Sequence, residues 1–140
     1  MPLLQGVYNI SSERTQDYFP QKPIDLLPVK TKDSLIKMVR SIDRDFKINS
    51  DNYLNFITKE LKPYVDAEYS SAIDNQNTYL AGVSMGGLIS MYAVCQYPEI
   101  FGGAIGMSTH WVGAVPSTGN PMPAAFFDYM RKKFTITSRK

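Results

Sequence analysis

One cysteine, one histidine and one tryptophan in 140 residues remove several chemistries at once. The lone Cys95 can form no internal disulfide, and no cysteine-based metal cluster can be built. No apolar run approaches the length of a transmembrane helix. The N-terminus lacks a basic region followed by an apolar one, since Met1 to Leu4 runs almost directly into Gln5 and Gly6. On this reading the chain is expected to be cytoplasmic, and Asn9-Ile10-Ser11 is an accidental glycosylation pattern. Charge of one sign is also scarce. The net charge is +2, and lysines and arginines are scattered apart from Arg131 to Lys133 and the extreme C-terminus. That argues against nucleic acid or a membrane surface as the main partner. There are no internal repeats and no low-complexity stretch.

What is present is globular in kind. Hydrophobic residues make up 44% and aromatics 12%, and the length suits one domain with a real core rather than two. Residues 3–10, LLQGVYNI, read as a buried strand. A polar stretch, SSERTQDYFPQKP, follows as a long irregular loop punctuated by Pro20, Pro23 and Pro28. Leu35, Val39, Ile42 and Phe46 recur at the spacing of one helix face over residues 34–46. A second helix fits residues 51–66, with Ser50 or Asp51 as its cap and Pro63 kinking or shortening its last turn. Residues 78–83 read as a short buried strand, residues 88–97 as an apolar helix stopped by Pro98, and residues 101–107 as another strand. A last helix starts near Pro123. This order predicts an α/β fold with a short, mainly parallel sheet and flanking helices.

The central chemical signal is Gly82-Val83-Ser84-Met85-Gly86-Gly87, placed between a strand and a helix. A serine on such a strained turn needs small neighbours two positions away, so Gly82 and Gly86 leave room. The turn lifts the Ser84 hydroxyl to the carboxyl edge of the sheet, where open α/β folds bind ligands. The following helix points its first amides at the same place, so the Met85 N–H is the candidate donor to an oxyanion. Chance alone should give G-x-S-x-G in about one chain in twenty of this length. A glycine turn whose serine merely caps the helix would read the same way.

A serine hydroxyl needs a base, ordinarily a histidine oriented by a carboxylate. His110 is the sole histidine, just past the strand that follows the serine-bearing helix. That position is near Ser84 but one strand too early for the base of a triad, so a pocket-lining or packing role is expected. Glu99 and Asp128 are the acids after Ser84, and Asp128 reads as a solvated surface charge. Cys95 lies within an apolar helix and reads as inert core. Trp111, beside His110, could line an acyl or alcohol pocket or simply pack. Glu13 and Arg14 are expected to form a structural salt bridge at the end of the first strand, with Arg14 a possible pocket residue.

YLNFITKELKPYVDAEY before the elbow and NTYLAGVSMGGLISMYAVCQYPEIFGGAIGMSTHW through it resemble the putative-esterase family of α/β-hydrolases. That family includes enterochelin esterase, S-formylglutathione hydrolase and feruloyl esterases. VYNISSERTQDYFP and PAAFFDYMRKKF also fit its pattern. The resemblance implies an acyl-enzyme on Ser84, an oxyanion N–H from Met85, a small-molecule ester as substrate and no metal or organic cofactor. Relatives carry earlier strands with a second oxyanion donor and later strands with the triad acid and histidine. Residues 1–140 are therefore expected to form a single partial domain, truncated at both ends, with impaired ester hydrolysis and self-association through exposed sheet edges. An inert fragment, or one that associates with a partner chain, is the competing expectation. A peptidase or acyltransferase is a third, because the elbow fixes the nucleophile and not the acceptor.

Overall fold

Between Glu13 and Arg40 the chain is more helical than its prolines suggest. The structure, a computed structural model, describes residues 13–70, 72–114 and 116–137, so the strand expected over residues 3–10 lies outside it. Within the expected irregular loop stand two short helices, α1 (Arg14–Tyr18) and α2 (Gln21–Asp25). They form because Tyr18, Phe19, Pro20, Pro23 and Ile24 all bury side chains, and a single helical turn on each side of Pro20 turns them inward. Tertiary burial outweighs the weak local propensity here.

Helix α3 (Val29–Arg40) begins after Pro28 and ends earlier than the apolar spacing suggests. Ser41 closes it, its hydroxyl donating to the Met38 carbonyl at 2.7 Å. Leu35 and Val39 are buried as expected, but Ile42 is 69% exposed. Phe46 returns to the core from a loop instead, edge-on to Phe19 at 5.3 Å. A four-residue repeat can thus be met by a helix plus a loop that folds back.

The next helical run is α4 (Ser50–Phe56), a π-helical segment (Ile57–Leu61) and α5 (Lys62–Glu68). Pro63 does not shorten it. Proline has no N–H to donate, and the widened π turn, with Lys62 N–H reaching back to Ile57, carries the backbone past it. Nor do Ser50 and Asp51 cap α4; Asn49 is the cap residue, and it makes no side-chain capping bond. Ser50 is buried and accepts from the Gln21 N–H at 3.0 Å. Asp51 accepts from the Tyr92 hydroxyl at 2.6 Å.

After a 3-10 turn at Asn75–Asn77 come β1 (Tyr79–Val83), α6 (Met85–Gln96), β2 (Gly103–Met107) and α7 (Met122–Thr137). The two strands pair in parallel, Tyr79 opposite Gly103 through Val83 opposite Met107. Helix α6 is the crossover that parallel pairing requires. Leu80, Gly82, Ala104 and Gly106 turn toward it, while Tyr79, Val83, Ile105 and Met107 on the other face stay 50–60% exposed. The sheet is therefore apolar on both faces but covered on one.

Helix α6 sits in the middle of the molecule, burying Leu88, Ile89, Tyr92, Ala93, Val94 and Cys95. Tyr92 is wholly buried, yet its hydroxyl is satisfied twice. It donates to Asp51 and accepts from the Lys22 N–H at 3.1 Å, tying α6 to α4 and α2. Gln96 continues the tie by bonding both Lys22 and Tyr129 of α7. Tyr92→Phe is expected to leave Asp51 with only its 3.8 Å ion pair to Lys22 and the Lys22 amide without its acceptor, and to cost about 1–3 kcal/mol in a urea melt.

Burial pushes the Cys95 thiol from an ordinary 9.0 up to about 11, against a smaller opposing pull from Lys133. Burial likewise pushes Tyr129 from 10.0 up to about 12. Both groups are held neutral by the fold, so their contribution is complete below the unfolded pKa and is lost as pH rises through the folded one. Stability should therefore decline from pH 9.0 upward, first through Cys95. Urea midpoints for Cys95→Ala, lower overall, should be flat between about pH 9 and 10 and fall only above that.

Candidate active site

Ser84 joins the end of β1 to the start of α6 with φ 58° and ψ −122°, a conformation that L-residues rarely adopt. Such strain costs of order 1–3 kcal/mol and persists only where the surroundings impose it. The surroundings are glycines. A Cβ on Gly82 would lie 2.2 Å from both the carbonyl carbon and the oxygen of Gly86. One on Gly87 would lie 2.6 Å from Thr109 Oγ1. At Gly86 a Cβ would meet nothing within 4 Å, so the crowding around the serine falls on one side only. The expectation that Gly82 and Gly86 both leave room is corrected for Gly86, where what matters is the backbone that Gly82 lets approach.

The backbone around Ser84 is densely bonded. Its N–H donates to Met107 O at 3.0 Å, and its carbonyl accepts from Gly87, Leu88 and His110 N–H at 3.1, 3.3 and 3.1 Å. The Met85 N–H, the first of α6, has no acceptor among the described residues. It sits where the helix dipole adds positive potential, the electrostatic setting that stabilises a developing oxyanion.

The side chains are less committed. Ser84 and His110 are both half-buried. Their main chains touch through the 3.1 Å bond, but the hydroxyl and the imidazole are not hydrogen-bonded to each other or to any other described residue. Trp111 packs on α7, with its ring 5.0 Å from Phe127 and 5.9 Å from Phe126. The Arg14 guanidinium stacks over Tyr18 at 5.6 Å. No ion pair between Glu13 and Arg14 forms among the described residues, which corrects the expected salt bridge; the aromatic face of Tyr18 offers Arg14 another partner. Asp128 pairs with Arg131 at 3.1 Å on the exposed side of α7. Cys95 is buried, and that burial holds its thiol protonated at neutral pH.

A groove of about 630 Å³ opens at the other, amino edge of the sheet, between Asn75, Tyr79, Cys95, Phe101 and Lys133; it does not include Ser84. Ser108 and Thr109, which no spacing in the sequence marks, follow β2 beside the elbow, with Thr109 against Gly87. Ser108 has positive φ, for which a serine carries no sequence signal, and Thr109 Oγ1 also fills the space a Cβ on Gly106 would need, 2.3 Å away. The two glycines facing Thr109 were the available clue.

Gly82→Ala is expected to cost more than about 3 kcal/mol or to prevent folding, because the obstacle is backbone and cannot move aside. Gly86→Ala should be neutral or stabilising by up to about 1 kcal/mol, as in any open helical position. Thermal melts of the two variants check the asymmetry.

Comparison with known proteins gives two matches. A family model described as Esterase, putative esterase, matches residues 24–124. An "Uncharacterized protein YbbA" of Bacillus subtilis (strain 168) is 37% identical over 51 residues, which are 36% of this chain and 20% of that protein. The match thus spans about a fifth of that relative's length. No solved structure matches the chain.

Proposed function

This chain belongs to the putative esterase family, and on that premise we propose that it hydrolyses carboxylic esters through an acyl-enzyme on Ser84. The observation that carries the reading is the strained backbone of Ser84 beside the unengaged Met85 N–H. Strain of this kind is retained where it serves to present a side chain. In the reaction, Ser84 Oγ bonds to the ester carbonyl carbon as its proton leaves to a base. The carbonyl oxygen takes the charge and is met by the Met85 N–H at the α6 terminus. The C–O bond to the alcohol breaks, the alcohol leaves with a proton, and water then attacks the acyl-serine to release the acid.

The base is the open role. His110, the one imidazole of the chain, bonds Ser84 through the main chain but does not hydrogen-bond the hydroxyl. Nucleophile and oxyanion donor without a preformed base support slow turnover, since the oxyanion hole and binding alone retain only a residual part of triad catalysis. That same unpaired hydroxyl favours a second reading, in which the chain is inert or associates with a partner chain.

A fluorophosphonate probe separates the two. Covalent labelling of the folded chain that disappears in Ser84→Ala supports an activated serine, and its loss in His110→Ala as well would give His110 the base. Folded protein that stays unlabelled would sink the catalytic reading for this chain and leave the second.

A further inference from the structure

A second strained serine stands opposite the first. Among the described residues, the non-glycine positions with positive φ are Ser84 at 58° and Ser108 at 47°. They face each other one step beyond the last paired residues, Val83 and Met107. The bonds between them depart from a regular ladder in a definite way. In parallel pairing, a residue that donates its N–H to position j−1 of the neighbouring strand accepts at its carbonyl from position j+1. Ser84 donates to Met107, so its carbonyl should accept from Thr109. The donor is His110 instead, at 3.1 Å.

We propose that Ser108 is a positioning residue for Ser84. Its left-handed backbone adds one residue to the end of β2 and moves the last rung from Thr109 to His110. Both peptide groups of Ser84 are then gripped by the same short segment, the N–H by Met107 O and the carbonyl by His110 N–H. The same shift explains Thr109. Relieved of the rung, its side chain lies between the helix and the strand, with Oγ1 in the space that Cβ atoms on Gly87 and Gly106 would occupy. The strain at Ser108 thereby supports the strain at Ser84, and β2 sets the presentation of a hydroxyl that belongs to the β1–α6 turn. The structural claim stands on these bonds alone; its catalytic consequence rests on reading Ser84 as the nucleophile.

Two substitutions test it. Ser108→Thr keeps the hydroxyl but adds a β-branch that opposes positive φ, whereas Ser108→Gly permits that conformation. Amide exchange in ¹⁵N-labelled protein reads the grip directly. Protection at Ser84 and His110 is expected to drop about tenfold or more in the threonine variant and to persist in the glycine variant. Phosphonylation of Ser84 should fall by a similar factor in the threonine variant and stay within about threefold of wild type in the glycine variant. Unchanged protection of both amides in a folded threonine variant would overturn the proposal. So would a glycine variant that loses protection, a result that also decides the matter if the threonine variant does not fold. A wild-type chain that fails to label defeats the nucleophile reading, and the amide data then judge the positioning role by themselves.

Discussion

The closeness with which α6 lies on the two strands is the constraint from which the rest of the structure follows. Gly82, Gly87 and Gly106 remove the side chains that would otherwise hold helix and sheet apart. The helix can then bury nearly every residue from Gly87 to Cys95. Because it starts so close to the end of β1, the connection has only Ser84 to make the turn, and Ser84 must take a conformation that few residues tolerate. The strain is a product of packing distance, and the packing gains are what sustain it.

A buried hydroxyl performs the complementary task on the far side of α6. Tyr92 reaches away from the sheet and satisfies both its donor and its acceptor with Asp51 of α4 and the backbone of Lys22 in α2. Buried polar groups are costly when unpaired and specific when paired. Helix α6 is therefore located by shape on one side and by hydrogen bonding on the other. The family to which the chain belongs accounts for the elbow, and these contacts account for its holding still.

The legible part of the fold was the part where local chemistry and burial agree. The run of residues 79–107 alternates small and apolar residues, and its strands and helix fall within a few residues of where the pattern put them. The parallel pairing and flanking helices are those of a short α/β sheet. Helices α1 and α2 were hidden because three prolines and a polar stretch argue for a loop, and only the burial of Phe19 and Ile24 argues otherwise. The end of α3 is not legible because Ile42 and Phe46 continue a helical spacing that the chain abandons at Ser41. In the site, Ser84 and its glycines could be read from spacing, and the nearness of His110 from topology. The one-residue shift at Ser108 could not, since serine at positive φ leaves no pattern, nor could the stacking of Arg14 on Tyr18, which depends on where α1 lands.

The helix that presents the serine also carries the single thiol of the chain, with Cys95 buried at its last position but one. Nature has in effect placed a clock on the central element. The sulfur is nearly covered in the wall of the amino-edge groove, so a small thiol-directed reagent reaches it fully only when that wall moves, and no second thiol competes. Mass spectrometry at increasing denaturant would then separate local opening around Cys95 from global unfolding, with no label added to the chain.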